Sequence, residues 1–203
     1  MIEYNIRREK GKKYLFIIPL LLFAIDYLLI HFHFIDPIDR IVYQLIQLIK
    51  CDVMTEFFKI CSFLGSTYFY VGIIIFLLIM KNKKIFYTAG HLLIAQGLNR
   101  IIKAIVKRPR PPRRLQLVTE TNYSFPSGHS MSAMVGYGFF IIQLRKSDLK
   151  YKKIWIGLCM VMIVLIGLSR IYLGVHYFSD VLGGYLIGLS YILFVYYHTS
   201  FYA

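Results

Sequence analysis

Three stretches, far apart in the sequence, carry side chains suited to gripping and cleaving a phosphate ester: Lys103 with Arg110-Pro111, Pro126-Ser127-Gly128-His129, and Ser169-Arg170 with His176 and Asp180. Guanidinium groups bind phosphate oxygens in a bidentate fork and a lysine acts as a point charge, so Lys103, Arg110 and Arg170 can surround three oxygens of one phosphoryl group. Ser127 is a natural helix N-cap and Gly128 lets a ligand approach the backbone, where the unpaired amides of a helix start form an anion site. His129 at that position can give a proton to a departing oxygen. His176 and Asp180 lie four residues apart, so at the start of a helix both project from one face. The carboxylate then accepts from one imidazole nitrogen and leaves the other free to attack phosphorus. Taken singly these residues are ordinary: a cation near a membrane edge is a snorkelling anchor, and proline and serine before a helix are capping devices. Their combination is what points to phosphoryl transfer. Metal ligation by His176 and Asp180 is disfavoured, because no further His, Cys or carboxylate stands close enough in sequence to complete a set.

Each stretch sits at the end of an apolar segment. The chain has 203 residues, 58% of them hydrophobic and only 17% charged, a balance too apolar for an ordinary soluble domain. Apolar runs near the ~20 residues needed to cross a bilayer core recur throughout. The predicted spans are Tyr14 to Phe34, Phe57 to Met80, Ile85 to Ile102, His129 to Leu144, Ile154 to Tyr172 and His176 to Tyr197. Backbone groups in lipid must pair internally, and runs such as Ile73 to Ile79 lack the alternation of a barrel strand, so the expected fold is all-α, a six-helix membrane bundle forming a single domain over 1–203. The basic N-terminus and the run after it resemble a secretory signal, but the run is long and no small-residue cleavage pattern follows, so it is read as the first helix. Cys51, Cys61 and Cys159 have no metal spacing and are expected as unpaired thiols, with a Cys51–Cys61 disulfide the lesser alternative.

Net charge is +14, from 24 Lys and Arg against 10 Asp and Glu, yet its distribution argues against nucleic acid. Arg7, Arg8, Lys10, Lys12 and Lys13 precede the first span, Lys81, Lys83 and Lys84 follow the second, and Arg145, Lys146, Lys150, Lys152 and Lys153 follow the fourth. Alternate connections are therefore basic, which predicts a multi-pass plasma-membrane protein with these segments and the N-terminus cytoplasmic. Arg100, Lys103, Lys107, Arg108, Arg110, Arg113 and Arg114 crowd onto the opposite, extracytoplasmic side. Positive charge in a translocated connection calls for a bound anion, or for attraction to anionic headgroups at Lys107, Arg108, Arg113 and Arg114. Pro109, Pro111 and Pro112 should hold this connection extended, with Lys103 in the last turn of the helix before it.

On these motifs the chain resembles the type 2 phosphatidic acid phosphatases, the membrane branch of a superfamily that includes soluble vanadium haloperoxidases and bacterial acid phosphatases. That family's Lys, six residues, Arg-Pro is met by Lys103 to Pro111. Its second motif is met by Pro126 to His129, and its Ser-Arg, five residues, His, three residues, Asp by Ser169 to Asp180. The resemblance implies a phosphohistidine mechanism without metal or other cofactor. His176 would be the nucleophile, Asp180 its partner, and His129 the general acid and then the base for water; Lys103, Arg110, Ser127, Gly128 and Arg170 would bind the phosphoryl oxygens. It also implies a lipid phosphate or diphosphate as substrate. Undecaprenyl diphosphate is favoured, with Arg108 and Arg113 available for a second phosphate, and phosphatidylglycerophosphate or phosphatidic acid is the rival. A non-catalytic lipid-anion binder or transporter is the competing class, and it leaves His129, His176 and Asp180 without a task.

Some polar residues fall outside the motifs. Asp26, inside the first span, is expected to pair within the bundle or near its rim. His91, Gln96 and Asn99 read as interhelical hydrogen-bonding groups, with support of the site by Asn99 or Arg100 the lesser alternative; His31 and His33 form only a weak metal suggestion. Gly184 and Gly188 have the spacing of close helix packing, either internal or at a homodimer face.

Overall fold

The computed structural model describes residues 12–79 and 83–198, and their regular elements are all helical. Eight α-helices are described: α1 (Ile17–His31), α2 (Asp36–Gln47), α3 (Asp52–Leu64), α4 (Thr67–Ile79), α5 (Lys83–Val106), α6 (Gly128–Lys146), α7 (Lys152–Tyr172) and α8 (Phe178–His198). A 3₁₀ turn at Arg113–Leu115 interrupts the long α5–α6 connection. Arg7, Arg8, Lys10 and Lys81 lie outside the described residues.

The helices follow the predicted spans with two departures. The connection expected after the first span instead folds as α2, bent by 94° from α1. Its apolar residues recur at helical spacing: Ile38, Ile41 and Leu45 are exposed on one side while Asp39 is buried on the other. The predicted second span is two helices, because Gly65 ends α3 and the Ser66 hydroxyl accepts the Phe69 N–H at 3.2 Å to start α4. Among the described residues α7 and α8 are each long and apolar enough to cross a membrane, and α1 with α2 would add a third if the bent pair is one span. The expected count of six is thus met in part by this criterion. Exposed apolar stripes such as Ile18, Leu21 and Ile25 on α1, and Ile154, Leu158 and Val161 on α7, are surfaces that water would not tolerate at this extent.

α6 is the central helix, packed against α5, α7 and α8, while α1 covers α8 and α3 covers α7. Met131, Val135 and Phe139 of α6 meet Tyr70, Leu92, Ala95 and Ile187 in the principal core. In lipid such contacts are held by close fit rather than by exclusion of water. Gly184 is a close fit behind the site: a Cβ there would stand 2.6 Å from the Ser127 carbonyl oxygen and 2.9 Å from Ser130 Cβ. At Gly188 it would meet Met134 Cβ at 3.0 Å, so the glycine spacing serves internal packing. His91 Nδ1 meets the Tyr191 hydroxyl at 2.6 Å and Gln96 donates to Ser132, the interhelical bonds expected of them. All three cysteines are unpaired. Asp26 departs from expectation: it is buried against Gly183, and neither carboxyl oxygen has a hydrogen-bond partner among the described residues.

The packing brings the three chemical stretches to one end of the bundle. Lys103 is in the last turn of α5, Ser127 caps α6, Arg170 is in the last turn of α7 and Asp180 in the first turn of α8. Arg145, Lys146, Lys152 and Lys153 belong to the opposite ends of α6 and α7.

Candidate active site

The α7–α8 turn sets the position of the imidazole. Gly174 has φ +69° and lies so close to the α5–α6 connection that a Cβ would be 2.1 Å from the Leu115 carbonyl oxygen, which leaves glycine as the residue that fits. The amides of Val175 and His176 both donate to the Arg170 carbonyl at 3.2 Å, reversing the chain in a few residues. α8 begins at Phe178, so His176 stands in the turn outside the spanning helix, not on its first turn as the spacing suggested. The pair still meets: His176 Nδ1 is 3.3 Å from Asp180 Oδ2. Asp180 is held in place from several directions, accepting the Tyr177 N–H at 2.8 Å, the Ser124 hydroxyl, and Arg108 Nη1 at 2.7 Å. The Tyr177 contact is half of a capping box, and so the same carboxylate also starts the helix.

Two contacts define the state of the imidazole. Arg110 Nη1 lies 3.2 Å from His176 Nε2, and a guanidinium can only donate, so Nε2 carries the lone pair and Nδ1–H donates to Asp180. Burial pulls the His176 pKa well below its ordinary value, against the opposing hydrogen bond and charge of Asp180, so the ring is neutral. Neutral imidazole is the nucleophilic form. A depressed pKa means that the blocking protonation occurs only in acid, and the expected profile of kcat/KM follows from that sign: no loss assignable to His176 near the ordinary histidine value of about 6.5. The measurement compares substrates whose own ionisations differ. A loss of kcat/KM as pH falls through that value, shared by all substrates, would contradict the assignment.

Around Nε2 the cations form a cradle. Lys103 Nζ donates to the carbonyls of Tyr123 and, at 2.8 Å, Ser124, which leaves one of its three donors for a ligand. Arg110 is braced by Asn122 and by the Val175 carbonyl at 2.7 Å. Arg170, only 2% exposed, donates to Ser62 and Glu120, and its buried Nε has no partner among the described residues. Glu120 also approaches Arg110 Nη2 at 3.6 Å, so one carboxylate bridges the two guanidiniums. A phosphoryl group binding to both must displace or rearrange that bridge.

The second motif closes the cradle. Ser127 caps α6 by accepting the Ser130 N–H at 3.4 Å, and its own amide donates to the Asp180 carbonyl at 2.8 Å, tying the second motif to the third. Asn99 donates to the Pro126 carbonyl at 3.1 Å and faces Gly128, where a Cβ would be 3.1 Å from its Oδ1. That is the supporting role anticipated for Asn99. His129, in the first turn of α6, lies within electrostatic range of Arg170, His176, Arg110 and Lys103. All eight residues singled out from the motifs therefore converge.

Other parts of the site escaped the sequence reading. The sequence offers Arg108 to headgroups or a second phosphate, but it pairs with Asp180 at 2.7 Å and with Asp39 at 2.8 Å. Its availability for a second phosphate is thereby corrected. Asp39, Ser124, Asn122, Ser62 and Glu120 went unremarked. A lone acid in a connection crowded with cations was the available signal for Glu120. His33 pairs with Asp36 at 3.0 Å, and among the described residues no three or more His, Cys, Asp or Glu cluster as metal ligands. A cavity of about 520 Å³ opens between the α1–α2 bend and the segment from Val106 to Leu115, reaching the site at His176 and Tyr177.

A cationic cradle around a neutral, carboxylate-held imidazole, at one end of apolar helices, defines a membrane-bound phosphatase in class. The family model described as the PAP2 superfamily matches residues 84–202, more than half of the chain, and the chain belongs to that family. It is 33% identical over 171 residues to phosphatidylglycerophosphatase B of Bacillus subtilis, covering 79% of this chain and 82% of that protein. It is 32% identical over 196 residues to undecaprenyl-diphosphatase of Sulfolobus acidocaldarius, covering 91% and 90%. The fold resembles the crystal structure of a transmembrane PAP2 type phosphatidylglycerolphosphate phosphatase from Bacillus subtilis, with TM-score 0.81 and 30% identity over 93% of this chain and 99% of that one. The protein is thus a PAP2-family lipid phosphatase, a hydrolase, and the reading as a non-catalytic anion carrier is set aside.

Proposed function

We propose that this phosphatase removes the terminal phosphate of a membrane lipid at the extracytoplasmic face through a phosphohistidine intermediate. The observation that carries the mechanism is the His176 ring itself, with Nδ1 toward Asp180 at 3.3 Å and Nε2 toward the Arg110 cation at 3.2 Å. Nε2 forms the new bond to phosphorus while the bond from phosphorus to the lipid oxygen breaks, and His129 gives its proton to that oxygen. Water then adds to phosphorus, His129 takes its proton, the phosphorus–nitrogen bond breaks and phosphate leaves. Lys103, Arg110, Arg170 and the amides at Ser127 and Gly128 neutralise the phosphoryl oxygens, which is most of what phosphoryl transfer requires. Orientation follows from charge: Arg145, Lys146, Lys152 and Lys153 occupy the end of the bundle away from the site, and basic connections stay inside.

For the substrate, the proposal is phosphatidylglycerophosphate. The relatives bearing that activity in their names include the structural match over nearly the whole of both chains. Of the two cations available for the second phosphate of a diphosphate, Arg108 and Arg113, the first is engaged with Asp39 and Asp180. Undecaprenyl diphosphate is the second reading, supported by the relative covering 91% of the chain. Phosphate release is to be measured side by side on these two lipids and phosphatidic acid in detergent micelles, with EDTA and with vanadate. The expected result is highest kcat/KM on phosphatidylglycerophosphate, full activity in EDTA and inhibition by vanadate, which mimics five-coordinate phosphorus. Faster turnover of the diphosphate reverses the substrate choice; loss in EDTA restored by magnesium refutes the metal-free mechanism.

A further inference from the structure

We propose that Asp39 and Arg108 form a positioning unit for Asp180, reaching the catalytic imidazole from a helix that precedes the segment matched by the family model. Asp39 is on α2, which lies well before residue 84, where that match begins. Its Oδ2 accepts from Arg108 Nη2 at 2.8 Å and from the Ser179 hydroxyl at 2.7 Å, while Oδ1 accepts the Ser179 amide at 2.8 Å. Arg108 uses its other terminal nitrogen on Asp180 Oδ1 at 2.7 Å and on the Ser179 hydroxyl at 2.8 Å, with the guanidinium 4.3 Å from the centre of the Tyr177 ring. Asp39 and Asp180 are 4% and 0% exposed, which takes this cluster out of solvent screening.

The charge count gives the unit its function. Asp39 and Asp180 carry two negative charges and Arg108 one positive, so a single net negative charge stands behind His176. Positive charge develops on the imidazole as Nε2 bonds to phosphorus, and that net charge stabilises it. Arg108 by itself would cancel Asp180. Asp39 holds part of the guanidinium's attention and so keeps Asp180 effective toward Nδ1. The backbone of Ser179, clamped by Asp39, also fixes the first turn of α8 from which Asp180 projects.

This inference rests on the roles read above for His176 and Asp180, and its test separates the two. Phosphate release would be measured for Asp39→Asn, Arg108→Gln, the double variant and Asp180→Asn, with thermal unfolding of each in detergent. Asp39→Asn is expected to lower kcat by roughly 10-fold with KM changed by less than about 2-fold, because both Asp39 oxygens are engaged by Arg108 and Ser179 and the lost charge acts through Asp180 and His176. The double variant removes one charge of each sign and restores the single net negative charge. It is expected to turn over faster than Asp39→Asn, in which the paired Arg108 and Asp180 leave no net charge. A merely structural pair would instead lower the unfolding temperature in the single variants, with recovery in the double, while kcat of the folded protein stayed near wild type in all three. Unchanged kcat in Asp39→Asn, or a double variant no faster than Asp39→Asn, would overturn the positioning unit. If any single variant fails to fold, the folded double decides by the same comparison with wild type, near-wild-type kcat supporting the unit and a loss of 10-fold or more, roughly, refuting it. An Asp180→Asn protein with normal turnover would show that the parent reading itself had failed, and the unit with it.

Discussion

Replacing His176 with alanine is expected to lower phosphate release by at least ~10³-fold, because the variant lacks the atom that bonds to phosphorus. The loss should appear in kcat with the protein still folded. The imidazole is 2% exposed, but its neighbours are not stranded when it is gone: Asp180 keeps Arg108, Ser124 and the Tyr177 amide, and Arg110 keeps Asn122 and the Val175 carbonyl. Truncation therefore leaves no buried charge without a partner, the circumstance that makes polar deletions costly. The check is phosphate release together with acid-labile labelling from a substrate carrying radioactive phosphate. Wild type should carry label on His176 and the variant none. A variant that releases phosphate at the wild-type rate would remove His176 from the mechanism.

Arg170→Lys should cost ~10²-fold in kcat although it conserves charge. The guanidinium is fully enclosed, with one terminal nitrogen on Ser62, the other on Glu120, and Nε unpartnered. An ammonium is a compact charge on a flexible stem and cannot hold two fixed partners while presenting a third donor in the plane of the fork. The prediction separates geometry from charge at one position. Wild-type kcat in Arg170→Lys would mean that positive potential alone suffices there, and that the bidentate fork is dispensable. Glu120, the carboxylate joining Arg170 to Arg110, gives the two cations one shared anionic partner and leaves a net positive charge for an arriving dianion.

The motif residues were legible because their chemistry is local. Ser127 announces a helix start by its type and by the apolar run that follows, and it does cap α6. Lys103 could be placed in the last turn of α5 because proline-rich sequence beyond it forbids a helix. The break at Gly65 and Ser66 was less visible, since an apolar run long enough to cross a membrane hides two short helices within it. α2 is less legible because its apolar residues recur at helical spacing and form no long apolar run. Arg108 and Arg110, two residues apart in one extended segment, looked equivalent and are not: Arg110 turns to His176 and Arg108 to Asp180 and Asp39.

Helical composition, the residues that converge at the candidate site and the family were legible in the sequence alone, because hydrophobic run length, capping and side-chain chemistry act over a few neighbouring residues. Which cation faces the ligand and which serves the carboxylate was decided by tertiary structure, as was the buried bridge of Glu120 between Arg110 and Arg170. The reason is physical: the pairing of a buried charge depends on what surrounds it in space, and Asp39 meets Ser179, 140 positions away in the chain, only when α2 folds back against α8.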